Sequence, residues 1–294
     1  MQRKIIKLGT ATLVASLPSR WIKANNLKPG DTVSFQEKGS EITFSTKKEL
    51  AAKTAKLHIK SSKDFMGRLI HTPYRFGYDR LEIKFDDPEV MPKIRRFLDQ
   101  CLGFEITDQT EGSVTIEMVA KGMEDEFDKL LRRSMLIIQG MLDDLIRGIK
   151  TNDKPLLEDV SQREDTVDKL THFCMRVINT RISEPGKSNY LCLTIQSLER
   201  LADDAAAIAA WASGTSLSKK DTISSIKPIE SASRAFLDVR DAFQKPSAES
   251  ILKARNAVRQ AKKITIQDPS LAGPMYCALG TMDDMLMFFE NQHD

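Results

Sequence analysis

Apolar residues follow two different periods along this chain. Up to about residue 120 they come as short runs or strict alternations. In the first segment these are "KIIKL" (4–8), "TLVASL" (12–17), "TVSFQE" (32–37) and "EITFST" (41–46). Each predicts a β-strand. Turn residues at Leu8-Gly9-Thr10, Pro29-Gly30-Asp31 and Lys38-Gly39-Ser40 separate them. "PSRWIKANN" (18–26) predicts one short helix, entered at Pro18-Ser19 and ended by Asn25-Asn26. Residues 56–120 mix both periods. "AKLHIK" and "YDRLEIKF" predict strands, "SKDFMGRLIHTPYRFG" and "DPEVMPKIRRFLDQCLG" predict helices, and "FEITDQ" with "SVTIEMVA" predicts a hairpin across Glu111-Gly112. A small α/β unit of ferredoxin-like topology is expected there. Beyond residue 121 the spacing is helical throughout. It predicts helices over 122–149, 155–183, 187–213, 228–244, 247–265 and 272–291, an antiparallel bundle. "SGTSLSKKDTISS" (213–225) divides it into two three-helix halves, a candidate internal repeat.

The expected architecture is therefore multidomain α+β, with a β domain at 1–50, a small α/β linker domain at 56–120 and a helical bundle at 121–294. A β-unit of fewer than fifty residues buries little surface alone. Two interleaved chains are the economical solution, so a dimer is expected.

Charge sharpens this division. The net charge is +3, yet residues 1–60 carry 12 Lys and Arg against 4 Asp and Glu. Such a segment calls for an anionic partner, and Arg3, Lys4, Lys7, Arg20 and Lys23 are its candidates for phosphate contacts. Trp21 is read as a dimer-core aromatic. No run of 18 apolar residues occurs, so no membrane insertion is expected. The signal-like N-terminus is interrupted by Lys7 and Gly9. Cys101, Cys174, Cys192 and Cys277 are scattered without metal-binding or redox spacing. His58 and His71 show no sequence partner and are read as structural. The protein is expected to be cytoplasmic.

Candidate chemistry lies on the helices. On the third bundle helix Leu191, Ile195, Leu198, Ala202, Ala205 and Ala209 form a seam, flanked by Glu199 and Asp203. On the second, Val160, Val167, Leu170, Cys174 and Val177 form the seam, flanked by Glu164 and Asp168. On the first, Glu124 and Asp128 stand in the same phase beside Met123, Phe127 and Leu130. Spacing i, i+4 puts each carboxylate pair on one face, and facing pairs would suit divalent or transition metal ions. With 41 acidic residues, about six such pairs arise by chance. A solvated acidic face is the competing reading. No nucleophile elbow, P-loop, Rossmann glycine triad or Ser-His-Asp set occurs, so no enzyme is expected.

Two resemblances add to this. Leu8, Gly9, Thr10, Leu17, Pro18, Leu27, Gly30 and Asp31 fall in the register of the AbrB/MazE/SpoVT swapped-hairpin DNA-binding domain. That resemblance implies a dimeric intertwined barrel with the basic residues, together with Thr10 and Thr12, at double-stranded DNA. "REDTVDKLTHFCMRVI" (163–178) and "LERLADDAAAIA" (198–209) look like the two signatures of the PhoU family. The resemblance implies that Glu164, Asp168, Glu199 and Asp203 ligate metal, with Glu124 and Asp128 in support. The second half departs from it: Gly280 stands where Glu199 stood, Asp284 matches Asp203, and "ILKARNAVRQAKKI" is basic where an acidic pair belongs.

Together the resemblances imply an archaeal-type phosphate uptake regulator. It would be a homodimer or higher oligomer that reads operator DNA with its β head and senses phosphate status with its bundle. The alternative is an adaptor that binds a phosphate transporter or sensor kinase, the β-unit only dimerising. A third reading, a metal-dependent phosphate-ester hydrolase using the six carboxylates, is the least favoured.

Overall fold

The computed structural model describes residues 3–9, 12–38, 41–46, 53–63, 67–120, 122–181, 185–215 and 219–290. They form two compact units, 1–53 and 54–294.

In the first unit β1 (Ile5–Leu8) pairs antiparallel with β2 (Thr12–Ala15), and β3 (Val33–Lys38) with β4 (Glu41–Thr46). The short helix α1 (Ser19–Ala24) lies between the hairpins and is ended by Asn25, whose Nδ2 donates to Trp21 O at 2.8 Å. Pro29-Gly30 makes the next turn. Gly30 sits at φ +96°, a conformation open to glycine, and Asp31 Oδ2 accepts from Lys28 N at 2.8 Å. Phe35 and Phe44 face each other across β3 and β4, ring centroids 6.2 Å apart. The expected barrel is not closed by this chain: the described strands make two separate two-stranded sheets. No described side chain of this unit is fully buried, and Ile5, Ile6, Leu8, Leu13, Phe35 and Ile42 are all more than half exposed.

The second unit begins with a four-stranded sheet of order β5-β6-β8-β7, comprising β5 (Thr54–Ile59), β6 (Arg80–Phe85), β7 (Phe104–Thr110) and β8 (Ser113–Met118). α2 (Arg68–Arg75) connects β5 to β6, and α3 (Val90–Leu98) connects β6 to β7. β5 and β6 are adjacent and parallel, while the other pairs are antiparallel. This corrects the ferredoxin-like expectation. The β5–α2–β6 crossover places its strands side by side and leaves no slot for an antiparallel strand between them. Alternation along β6 and β8 turns Leu81, Ile83, Phe85, Val114 and Ile116 to the buried face.

A 3₁₀ turn, Met123–Glu126, leads into the bundle. The bundle helices are α4 (Phe127–Thr151), α5 (Lys154–Arg181), α6 (Pro185–Gly214), α7 (Lys219–Gln244), α8 (Ala248–Lys262) and α9 (Pro269–Glu290). α4, α5 and α6 pack on one another, as do α7, α8 and α9. α6 meets α9 and α4 meets α7. Ala202, Ala205 and Ala209 keep the α6 surface low at the centre of the core. α7 starts nine residues before the expected 228 and carries Pro228 inside it. Ile226 and Ile229 are buried beside that proline, so packing outweighs its helix-breaking cost. Among the described residues no helix is long and apolar enough to cross a membrane.

α5 belongs to two cores. Val160, Val167 and Cys174 enter the bundle core, while Phe173 and Val177 enter that of the sheet. Arg176, 6% exposed, fastens the two. It donates to Tyr74 O at 3.1 Å, Tyr78 O at 2.6 Å and Asp79 Oδ1 at 2.6 Å. Its guanidinium also lies 5.4 Å from the Tyr74 ring centroid and 5.7 Å from that of Phe104. Beyond α2, Gly77 adopts φ +77°, and a Cβ there would stand 2.2 Å from Thr180 Cγ2 of α5. Replacing Arg176 by Met removes three charge-assisted bonds without opening a cavity. The expected cost is about 2–4 kcal/mol in urea unfolding, concentrated in residues 54–120. A change below about 0.5 kcal/mol would show that the fastening is elsewhere.

Candidate functional site

α5 and α6 run side by side and bring Glu164, Asp168, Glu199 and Asp203 into one electrostatic neighbourhood. The i, i+4 spacing stacks each pair one turn apart, and the alanine-rich seam of α6 lets the helices approach. Burial pushes the Glu164 carboxyl up to about 7, helped by the charge of Asp203 and a hydrogen bond shared with it. Burial also pushes Asp168 up to about 7, followed by the charges of Glu199, Asp203 and Glu164. Glu199 is raised by burial, with Arg75 opposing, and Asp203 is raised by burial, with its bond to Glu164 opposing. Asp168 Oδ1 is buried and makes no hydrogen bond.

The third expected pair is not set on one continuous helix. Glu124 falls in the 3₁₀ turn rather than on a continuous helix with Asp128, so the i, i+4 premise fails there. Asp128 is exposed in the first turn of α4. On α9, the space a Gly280 side chain would take is open and Asp284 is exposed, so no acidic pair repeats there. Among the described residues no three of His, Cys, Asp or Glu are placed to hold one metal ion. The donor chemistry suits a cation, but the arrangement as it stands does not converge on one.

Three groups that the sequence did not single out border the cluster. His172, one turn beyond Asp168 and 3% exposed, has Nε2 4.0 Å from Glu199 Oε1. Burial pulls its pKa down to about 3, with His71 and Arg75 adding to this and the Gln100 backbone weakly opposing. The ring is therefore neutral, and its Nδ1 makes no hydrogen bond of normal geometry. His71, from α2, stacks on it at 4.4 Å between centroids and donates through Nε2 to Phe97 O at 3.1 Å. Arg75, also from α2, places Nη2 3.5 Å from Glu199 Oε2. The only sequence signal for His172 was its i+4 spacing from Asp168; His71 and Arg75 lie about a hundred residues away.

The DNA-contact candidates all lie in the first unit. Arg3 and Lys4 precede β1, Lys7 lies on it opposite Leu13, and Thr12 opens β2 opposite Leu8. Arg20 and Lys23 lie on α1. All six are exposed. Thr10 lies outside the described residues.

The raised carboxyls give stability a definite pH dependence. In the unfolded chain both Glu164 and Asp168 lose their protons near pH 4, in the folded chain near 7. Between these values the folded state holds protons that the unfolded state has released, so stability falls as pH rises from about 4 to about 7. Asp168→Asn should flatten this slope and stabilise the protein by about 1 kcal/mol at pH 8, allowing for partial solvent screening. Urea unfolding at pH 5 and pH 8 measures both, and an unchanged slope would refute the assignment.

Against known proteins, residues 131–212 match the PhoU domain family model. The matched segment runs from within α4 through α5 to the last turn of α6, and contains all four clustered carboxylates. No curated protein matches the chain. Among solved structures the chain is similar to the crystal structure of the phosphate transport system regulatory protein PhoU from Streptococcus pneumoniae. The identity is 12%, the match covers 57% of this chain and 90% of that one, and the TM-score is 0.41. Over residues 131–212 the helical region of this protein is thus similar to the PhoU domain family.

Proposed function

We propose that the protein is a cytoplasmic regulatory adaptor of phosphate transport. Its helical bundle docks on transporter or sensor-kinase components, and its first unit joins two chains. The observation that carries this reading is the PhoU domain match over 131–212. The dimer rests on the first unit, where apolar side chains line strands that have no core of their own. A second copy supplying the facing hairpins, in the swapped-hairpin manner of the AbrB-type resemblance, would cover them. The protein acts by binding rather than turnover.

A second reading has one observation in its favour. The first 60 residues are strongly basic, and Arg3, Lys4, Lys7, Arg20 and Lys23 are exposed on that same unit. On this reading the dimerised head grips operator DNA by phosphate contacts, and the bundle biases its grip.

Light scattering on the full chain should give twice the 33.1 kDa chain mass, and Ile5→Asp with Leu13→Asp should give the monomer. The adaptor reading expects the protein to co-purify with the host's phosphate transporter or its cognate kinase, and expects phosphate uptake to lose its response to external phosphate on deletion. Absence of both sinks it. Anisotropy on duplexes from the transporter promoter decides the second reading: specific binding with a steep salt slope, lost in Arg3→Ala/Lys7→Ala/Arg20→Ala, would establish operator reading.

A further inference from the structure

α8 is basic where the PhoU resemblance places an acidic pair. Between Lys245 and Lys263 the chain carries six cations, Lys245, Lys253, Arg255, Arg259, Lys262 and Lys263, against the single acid Glu249. Ile251, Ala254, Val258 and Ala261 bury the inner face of the helix, which packs on α7 and α9. The opposite face is a ridge of exposed residues at helical spacing, Leu252, Asn256, Arg259 and Lys263, with Lys253 exposed beside it. Two of the cations are paired with neighbouring helices: Lys253 Nζ lies 2.8 Å from Asp238 Oδ1, and Lys262 Nζ 2.6 Å from Asp283 Oδ2. Arg259 and Lys263 make no ion pair among the described residues. The shape of this face limits what it can bind. A small anion needs a concave site with converging donors, whereas the outside of a helix is convex. A row of long cationic side chains suits an extended anionic surface. Leu252, 58% exposed next to Lys253, narrows the choice further. It gains nothing from a sugar-phosphate backbone, but at a lipid surface its side chain enters the boundary between headgroups and acyl chains.

We propose that the outer ridge of α8 is a docking surface for an anionic lipid membrane. Its cations meet the lipid phosphates and Leu252 reaches the apolar boundary, with no helix crossing the bilayer. The inference rests on the adaptor reading, in which the bundle's partner is a transporter, a protein of the membrane. Contact through α8 holds the bundle in the plane where that partner lies, which raises the effective concentration of one for the other. Lipid charge thereby assists docking without entering the interface between the two proteins. Salt weakens the contact, because the ridge is exposed and its charges are screened.

Co-sedimentation of the full chain with lipid vesicles tests this. Phosphatidylcholine vesicles with about one-third phosphatidylglycerol should bind the protein, and pure phosphatidylcholine vesicles should not. The first unit is also basic, so each α8 variant is compared in the Arg3→Ala/Lys7→Ala/Arg20→Ala background. There Arg259→Gln/Lys263→Gln should weaken binding about twentyfold, at roughly fivefold per cation. Leu252→Asn should weaken it about fivefold through lost apolar contact. Arg132→Gln/Arg133→Gln, the same charge change on an exposed face of α4, should behave as the background does. The altered side chains are exposed, and unchanged urea unfolding separates lost binding from lost fold. Equal affinity with and without Arg259→Gln/Lys263→Gln overturns the proposal, as does an equal loss from Arg132→Gln/Arg133→Gln. A loss of affinity for a DNA duplex of unrelated sequence in place of vesicles, with Leu252→Asn silent, also overturns it and assigns the ridge to nucleic acid. No vesicle binding by a protein that still co-purifies with the transporter refutes the ridge and leaves the adaptor reading intact. Vesicle binding through α8 without co-purification supports the ridge and refutes the adaptor.

Discussion

Arg176 is buried where α5 passes beneath the end of α2, and much of the larger unit depends on that burial. An unpaired guanidinium in such a place would cost several kcal/mol. Here two backbone carbonyls and the Asp79 carboxylate take its donors, and the Tyr74 and Phe104 rings lie over its faces. Those carbonyls are available only because the chain after α2 turns at Gly77 and runs close against α5. The sheet and the bundle are therefore not two bodies on a linker. They share one helix, whose residues from Thr171 to Ile178 are buried on every side.

The same docking shapes the acidic site. Four neighbouring carboxylates, three of them half-buried and Asp203 exposed, oppose folding at neutral pH unless they keep protons or acquire a counter-charge. Both remedies are visible. Glu164 and Asp203 share a hydrogen bond, and Asp168 is pushed toward its neutral form. Glu199, at the edge nearest α2, meets Arg75 instead. Elements far apart in sequence thus divide the charge between them, and a change in the position of α2 alters the field felt by the bundle.

The first unit presents the opposite situation. Local turns at Gly9, after β1, and at Pro29-Gly30, before β3, shape it, yet strand formation without a core leaves Ile5, Leu8, Leu13 and Phe35 in contact with water. A two-stranded sheet gains little stability by itself. The apolar faces and the concentration of positive charge set this segment apart from the body that follows.

Much of the local structure was legible in the sequence. Period-2 runs gave the strands, and period-3.6 seams gave the helices near their observed limits. The Glu164/Asp168 and Glu199/Asp203 pairs were visible as i, i+4 spacings, a property of one helix, and the PhoU resemblance singled them out among the pairs that chance supplies. Reading failed where a neighbour decides. Pro228 looked like a helix start, but buried Ile226 and Ile229 carry α7 past it. Glu124 and Asp128 looked like a third pair, but the chain enters α4 through a 3₁₀ turn. The ferredoxin-like expectation ordered correct elements wrongly, because pairing partners are long-range. His71, His172 and Arg75 had no signal as a group, since their meeting depends on where α2 docks. By itself, then, the sequence determined the elements, the acidic helix faces and the basic first segment, all of which follow from backbone geometry and residue type within a few turns. Only the tertiary structure decided that α5 serves two cores and that the Arg75 guanidinium from α2 meets Glu199, because these follow from side-chain packing between residues about a hundred positions apart.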